Sequence, residues 1–225
     1  CLSLEIDLKI ILAGILFGGL IGSIIALKVK MTAIPEMVAL FNGFGGLATF
    51  LIAWSSFNEP SNSVFQHVLI MLTIYIGGIT FSGSLIAYGK LSEKLKLGKG
   101  SIITNIFISF FYLSMPALIY VIAEPSISQF VPQVPSYFLI FLGITLIAGI
   151  GFVMPIGGGD MPVVISLLNS LSGIAAAFAG LLLLNNVLIV AGSLVGASGL
   201  ILTIIMAKAM NRTITNILFV GYASS

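Results

Sequence analysis

The sequence predicts an all-α polytopic membrane protein, a bundle of about seven transmembrane helices. Charged residues make up 7% of its 225 residues and hydrophobic residues 59%, whereas about 25% of an average soluble domain is charged. The mean hydropathy is +1.21. A hydrocarbon core about 30 Å thick requires about 20 helical residues to cross it. The apolar runs of this chain have that length, so an ordinary soluble domain is excluded.

Seven apolar segments follow one another, and each break between them is polar or rich in turn-forming residues. The segments are 8–29, 34–57, 64–89, 101–123, 135–156, 161–184 and 187–209. The breaks are 28–33, 58–62, 90–100, 124–134, 157–160 and 185–186. We therefore expect residues 1–225 to form a single transmembrane domain.

The basic residues predict how the bundle is oriented. Loops alternate between the two sides of a membrane, and with seven spans all but Lys9 of the nine basic residues fall on one side. Lysine and arginine are enriched in cytoplasmic loops. The distribution predicts an N-terminus outside and a C-terminus inside. It places the basic residues in loops rather than in a stripe, which argues against nucleic-acid binding.

One phrase occurs twice: a proline, an asparagine seven residues later, and a glycine four residues after that. The copies are Pro35, Asn42 and Gly46, and then Pro162, Asn169 and Gly173. Seven residues put each asparagine about 10 Å beyond its proline, and both segments run in the same direction. Because a buried amide in hydrocarbon is costly without partners, the pair indicates a polar, hydrated site. A purely structural interhelical clamp is the alternative.

Small and hydroxylated residues accompany both copies. Each asparagine segment is followed by a returning segment with a Ser-Gly pair, which predicts a degenerate parallel repeat with its site at the repeat interface. The residues predicted to line this site are Asn42, Ser82, Ser84, Asn169, Ser170 and Asp160. The small residues predicted to form a packing or gating face are Gly192, Gly196, Ser198 and Gly199.

Asp160 stands at the start of the sixth segment, after three glycines and before Met161 and Pro162. A carboxylate there can cap the helix, because proline is tolerated in a first turn and an anion is favoured at a helix N-terminus. The functional alternative is a titratable group or docking point where the polar site meets the inner surface.

Several kinds of catalytic chemistry have no sequence signal here. Cys1 is the only cysteine, and no glycine-rich phosphate loop, dinucleotide fingerprint or metal-spaced His/Cys cluster is present in the sequence. We therefore predict no catalytic, cofactor or metal site in this chain. Nucleotide binding would have to belong to another domain.

Five stretches of the chain resemble one family. Residues 158–173, 188–199 and 207–212 are similar to the membrane part of the β subunit of proton-translocating nicotinamide nucleotide transhydrogenase, and residues 31–40 and 80–84 also look like their counterparts. The resemblance implies hydride exchange between NAD(H) and NADP(H) in separate soluble domains, coupled to proton movement through this domain. It also implies a soluble NADP(H)-binding domain downstream.

The resemblance further implies partners, a location and residue roles. The partners would be the lipid bilayer, an NAD(H)-binding α subunit with its own membrane helices, and a second copy of the enzyme in a homodimer. The location would be a bacterial or mitochondrial inner membrane. Asp160 matches an acidic residue of the inner mouth, and Asn169 matches an asparagine of the proton path. Asn42 stands where many relatives have a histidine regarded as the proton carrier, and an amide cannot titrate there.

Two other functions remain open from the residues alone. The paired helices would also suit a stand-alone secondary transporter of a small solute, or a helical scaffold without transport. The sequence beyond Ser225 separates the first from a transhydrogenase, since an α/β nucleotide domain there would favour the transhydrogenase.

Overall fold

Every secondary-structure element that the structure describes is helical. The structure is a computed structural model that describes residues 8–57, 64–95, 113–114 and 135–219. Its α-helices are α1 (Leu8–Lys28), α2 (Ile34–Phe57), α3 (Val64–Leu91), α4 (Pro135–Val153), α5 (Met161–Leu182), α6 (Asn186–Ala209) and α7 (Ile214–Phe219). Short 3-10 turns, Met31–Ala33 and Gly158–Asp160, precede α2 and α5.

The all-α membrane class is confirmed. Five described helices are long and apolar enough to cross a membrane: Lys9–Lys28, Met31–Phe57, Phe65–Leu91, Gly158–Leu182 and Asn186–Ala209. The predicted bounds of α2 are correct, and the fifth segment ends three residues early because the chain turns at Met154 and Pro155. The fourth segment, 101–123, lies outside the described residues except for 113–114. The orientation of the termini stays a prediction.

The chain divides into two compact units, Cys1–Ile34 and Pro35–Ser225. The first contains α1, a 21-residue apolar helix with Lys28 in its last turn, where a cation is favoured by the helix dipole. Gly14, Gly18 and Gly22 recur every four residues along α1 and therefore share one face of it. The remaining description concerns the second unit.

A seam of small residues joins α2 to α3. The buried residues of α2 recur every three or four positions: Ala39, Gly43, Gly46, Thr49, Ala53 and Ser56. A Cβ built on Gly46 would lie 2.8 Å from the Gly77 carbonyl oxygen and 2.8 Å from the Phe81 nitrogen. Only glycine permits so close a crossing. The crossing brings Asn42, one turn before Gly46, beside the last third of α3.

The turn between α5 and α6 makes these helices a tight hairpin. Leu184 has a φ of 52°, and the Asn185 amide donates to the Gly180 carbonyl at 2.8 Å, an arrangement that closes a helix C-terminus. The Asn185 side chain then accepts from the Leu188 amide at 3.1 Å and so caps α6. Of the two asparagines that the sequence assigned to a break, Asn185 thus closes the turn and caps α6, and Asn186 is the first residue of α6.

A buried apolar cluster closes one end of the unit, which we call the Asp160 end. Its members come from the N-terminal part of α2, the C-terminal ends of α3, α4 and α6, the segment after α4, the N-terminal half of α5, and α7. They include Ala39, Val153, Ile156, Met161 and Ile217. Sequence reasoning missed α7. Asn211, with a φ of 56°, ends α6 and turns the chain so that Ile217 is buried, with 3% of its surface exposed.

Candidate functional site

Three side chains from three helices form a hydrogen-bonded group that we call the polar junction: Asn42, Ser84 and Ser172. The Asn42 amide nitrogen donates to the Ser84 hydroxyl at 2.9 Å. The Ser172 hydroxyl donates to the Asn42 amide oxygen at 2.8 Å. The junction therefore ties α2 to α3 on one side and to α5 on the other.

The local packing explains why these groups meet. A Cβ built on Gly43 would lie 3.2 Å from the Ser84 Cβ, so glycine at this position gives Ser84 its room. Ser84 is fully buried and Asn42 is half-buried. An amide has two N–H donors and a hydroxyl has one donor and two lone pairs, so the half-buried Asn42 and Ser172 can bind water while keeping their protein partners. None of the three carries a charge.

Asn169 enters the group through its backbone rather than its side chain. The Ser172 hydroxyl also lies 2.8 Å from the Asn169 carbonyl oxygen, whereas the Asn169 side chain is exposed. The two copies of the repeated phrase are thus linked by Ser172, which sequence reasoning missed. Its only signal was its place three residues after Asn169, on a face that the sequence alone could not identify.

The other serines predicted to line the site bond elsewhere. Ser82 is buried and donates to the Gly78 carbonyl of its own helix at 3.0 Å. Ser170 is fully buried and donates to the Gly196 carbonyl at 2.6 Å, which joins α5 to α6. The structure therefore brings Asn42 and Ser84 together, adds the Asn169 backbone, and places Ser82 and Ser170 outside the polar junction.

The opposite face of α5 forms a close seam with α6, which we call the glycine seam: Gly173, Gly192, Gly196 and Gly199. A Cβ built on Gly192 would lie 2.5 Å from the Ala177 nitrogen, and one built on Gly173 would lie 2.5 Å from the Gly196 nitrogen. Ser198, predicted with this face, is exposed. Its hydroxyl donates to the Val195 carbonyl of its own helix at 3.2 Å.

Hydroxyl groups continue the glycine seam toward the Asp160 end. The buried Thr203 hydroxyl lies 2.8 Å from the Gly199 carbonyl and 3.0 Å from the Ser166 hydroxyl. Both residues are at least nine-tenths buried. The two hydroxyls thus bond to each other and to a backbone carbonyl, so direct contacts hold this part of α5 to α6.

Asp160 forms an ion pair rather than a helix cap. Its carboxylate lies 3.0 Å from a guanidinium nitrogen of Arg212 and makes no hydrogen bond to the first turn of α5. The Arg212 side chain is 45% exposed and that of Asp160 is 16% exposed. The pair joins the start of α5 to the segment after α6. Of the two roles that the sequence left open for Asp160, the structure therefore shows no side-chain cap, although Asp160 does occupy the N-cap position.

Lys90 is a second charged group at the Asp160 end, although its place at the start of the break 90–100 predicted a loop lysine. Its ammonium donates to the carbonyl oxygens of Val153 at 3.2 Å and Ile156 at 2.8 Å, and also to that of Met154. A cavity of about 180 Å³ lies beside it, lined by Lys90, Leu95, Gly158 and residues 154–157. Among the described residues, no three His, Cys, Asp or Glu side chains gather as metal ligands would.

Comparison with known proteins places this geometry in one family. The model of the NAD(P) transhydrogenase beta subunit family matches residues 2–225. Two similar curated proteins, from Rhodospirillum rubrum and from a named strain of it, are each called NAD(P) transhydrogenase subunit beta. Each is 39% identical to this chain over 95% of its length and 47% of the relative's, so the chain spans about half the length of these relatives. The resemblance seen in the sequence is thereby confirmed, and the chain belongs to the NAD(P) transhydrogenase beta subunit family.

Proposed function

We propose that this chain conducts protons across a membrane as part of a proton-translocating transhydrogenase. Proton passage would be coupled to hydride transfer between NAD(H) and NADP(H), which takes place in separate soluble domains. The observation that carries the proposal is the polar junction, because it joins exchangeable hydrogen-bonding side chains from three helices, α2, α3 and α5, at one point of the bundle. Membership of the transhydrogenase beta subunit family indicates the reaction to which proton conduction at this junction would be coupled.

The junction suits proton conduction through water. A proton enters from the outside and reaches water held around Asn42, Ser84 and the Asn169 carbonyl. Asn42 does not titrate, so the amide orients water, and the charge resides on water or on a group from a partner helix. Ser82 and Ser170 flank this region from α3 and α5. The proton then leaves past Asp160.

The ion pair at the inner mouth suits a gate. The Arg212 side of the pair is 45% exposed, so water and salt compete for the guanidinium and reduce the net stability that the pair contributes. A soluble domain that approaches the Asp160 end can therefore exchange the Asp160–Arg212 contact for its own contacts at small cost. Each 100 mV of membrane potential supplies about 2.3 kcal/mol per charge, which biases two such states. Gating is required because an ungated path would dissipate the potential.

The proposal includes the surroundings of the chain. The NADP(H)-binding domain would contact the Asp160 end, and the NAD(H)-binding α subunit with its membrane helices would complete the enzyme, as a homodimer. NAD(H) and NADP(H) would bind in those domains rather than in this chain. The membrane would be the cytoplasmic membrane of a bacterium or the inner membrane of a mitochondrion.

The test uses the complete enzyme in sealed vesicles. We expect NADPH and an NAD analogue to change the internal pH, and Asp160→Asn to abolish this change while hydride transfer continues at a reduced rate. Glu93→Gln is the matched control, because Glu93 is an exposed carboxylate at the end of α3 that is absent from the ion pair. The control should translocate protons normally.

The other outcomes separate the candidate functions. A well-folded enzyme that transfers hydride without any pH change would refute proton coupling and leave solute transport as the alternative. If Asp160→Asn couples proton movement to hydride transfer as the parent enzyme does, the proposed function stands but Asp160 is not part of the gate. Asn169→Leu extends the test to the exposed face of α5. Because the Asn169 side chain is exposed, this substitution should lower proton translocation only if the proton path reaches that face.

A further inference from the structure

Lys90 joins the end of α3 to the end of α4 by a single ammonium group. Its three carbonyl partners, those of Val153, Met154 and Ile156, belong to the last residue of α4 and the residues that follow it. An ammonium has three N–H donors, so all three are used. The contact spans more than 60 residues of sequence and was invisible to composition or spacing.

The physical chemistry of a helix end explains this contact. The last carbonyls of a helix have no partner within it and carry the negative end of the helix dipole. Here the chain turns at Pro155 and continues through Gly157 without extending the helix. Met154 is 8% exposed and Ile156 is 3% exposed, so water has little access to these carbonyls. The ammonium supplies the hydrogen bonds that water would otherwise provide.

The carbonyls that Lys90 binds begin the segment that ends at Asp160, and we call residues 154–160 the mouth loop. Within the mouth loop, Ile156 is buried in the apolar cluster of the Asp160 end, whereas Gly158 and Gly159 are exposed. A Cβ built on Gly158 or Gly159 would meet no atom within 4 Å. The cavity of about 180 Å³ opens beside Gly157 and Gly158 and leaves space for the loop to shift. Lys90 therefore anchors the start of the mouth loop, and the Arg212 ion pair anchors its end.

We propose that Lys90 is a positioning residue that holds the mouth loop and thereby sets where Asp160 stands. This proposal rests on the proposed function for its consequence, since a displaced Asp160 would no longer gate protons in step with the nucleotide domains. The residue acts through the loop and contacts no substrate. Loss of the ammonium would loosen the start of the loop and leave the buried Ile156 side chain and the Arg212 ion pair to hold the rest of it.

The first experiment measures the loop itself, so its result does not depend on proton translocation. Met154→Cys, at a position of the loop that is 8% exposed, is introduced in the complete enzyme, in a background that lacks Cys1 and any cysteine of the partner subunits. Its rate of reaction with a maleimide is followed. Lys90→Met should raise that rate by roughly tenfold or more, because charged hydrogen bonds to three carbonyls are lost.

Lys94→Met is the matched control for this measurement. Lys94 lies four residues after Lys90. Among the contacts described for its ammonium, it contacts only Tyr88, at 3.4 Å from the hydroxyl. Its replacement by methionine removes the same charge as Lys90→Met. Its maleimide rate should equal that of the parent. Equal rates for Lys90→Met and the parent would overturn the proposal.

The second experiment measures protons moved per hydride transferred. Lys90→Met should lower this ratio at least several-fold while hydride transfer continues. Lys90→Cys alkylated with 2-bromoethylamine, which rebuilds an ammonium of nearly the original length, should recover it. If Lys90→Met only destabilised the bundle, hydride transfer and proton translocation would fall together, and alkylation would not restore the number of protons moved per hydride. That result would also overturn the proposal. If the parent enzyme moves no protons while Lys90→Met still raises the maleimide rate of Met154→Cys, the proposed function fails and the anchoring role stands.

Discussion

The two faces of α5 differ in what holds them. Toward α6, the glycine seam brings backbone against backbone, so that a Cβ on Gly192 would lie 2.5 Å from the Ala177 nitrogen. Toward α2 and α3, Ser172 reaches Asn42 by a side-chain hydrogen bond of 2.8 Å. The first face has no room for another atom, whereas the second is made of groups that can change partners.

The difference indicates how one helix serves two purposes. Close backbone packing in a membrane gains dispersion energy without any hydrophobic contribution between helices, and it resists movement because neither backbone can give way. Hydrogen bonds between neutral side chains can be replaced by bonds to water at small net cost. We infer that α5 and α6 act as a fixed hairpin, against which the contacts of α2 and α3 can rearrange.

The largest effect is expected from breaking the fixed face. Gly192→Ala places a methyl group against the backbone of α5, and overpacking of this kind costs about 1–3 kcal/mol. The atoms in the way are the Ala177 nitrogen and the Gly173 carbonyl oxygen, which cannot rotate aside as side-chain ends do. We therefore expect the upper part of that range, measured as a lowered thermal unfolding midpoint in detergent or lipid.

Gly45→Ala is the control for this prediction. A Cβ on Gly45 would meet no atom within 4 Å, and alanine favours a helix over glycine by about 1 kcal/mol. Its unfolding midpoint should equal or exceed that of the parent. If Gly192→Ala were as stable as Gly45→Ala, the two faces of α5 would not differ as described.

A smaller loss of stability, with a larger loss of function, is expected from the polar junction. Asn42→Leu removes the donor to Ser84, and leaving a buried hydroxyl without its partner costs about 1–3 kcal/mol. The double variant Asn42→Leu with Ser84→Ala should recover part of this loss, because both polar groups are then gone. Thermal unfolding of the four proteins in the cycle measures the coupling.

The same variants test the route of the proton. Both Asn42→Leu and the double variant should fail to change the pH inside vesicles, because the recovered stability does not restore groups that hold water. Proton translocation at the parental rate in the double variant would show that the polar junction lies off the path and acts as a clamp between helices.

Much of the fold could be predicted from the sequence because membrane helices follow from local composition. The bounds of α2 were correct, since Ile34 directly precedes Pro35, which is tolerated in a first turn, and Phe57 directly precedes the polar break 58–62. The end of α4 at Val153 and the presence of α7 were missed. Both depend on turns whose residues bury apolar groups at the Asp160 end, which is a tertiary effect.

The candidate site was less predictable, because a sequence gives the residues on a helix but not the direction each face takes. Asn42 and Asn169 occupy equivalent places in their segments, yet the Gly46–Gly77 crossing turns only Asn42 toward α3. Ser172 therefore makes the contact that was expected of Asn169. Lys90 was assigned to a loop, although α3 extends to Leu91 and its side chain bonds to a part of the chain more than 60 residues away.

The smallest effect is expected from Ser172→Ala, which removes the link between α5 and Asn42 and leaves every backbone in place. Ser172 is half-buried, so water can replace its hydroxyl, and the loss of stability should be about 1 kcal/mol or less. Ser198→Ala, which removes a hydroxyl bonded only within its own helix among the contacts described, is the control. We expect the two variants to have nearly the same thermal unfolding midpoint. In vesicles, we expect proton translocation to be slower in Ser172→Ala alone. Equal rates of proton translocation in Ser172→Ala and Ser198→Ala would mean that α5 packs beside the polar junction without a functional side chain in it. The junction would then consist of Asn42 and Ser84.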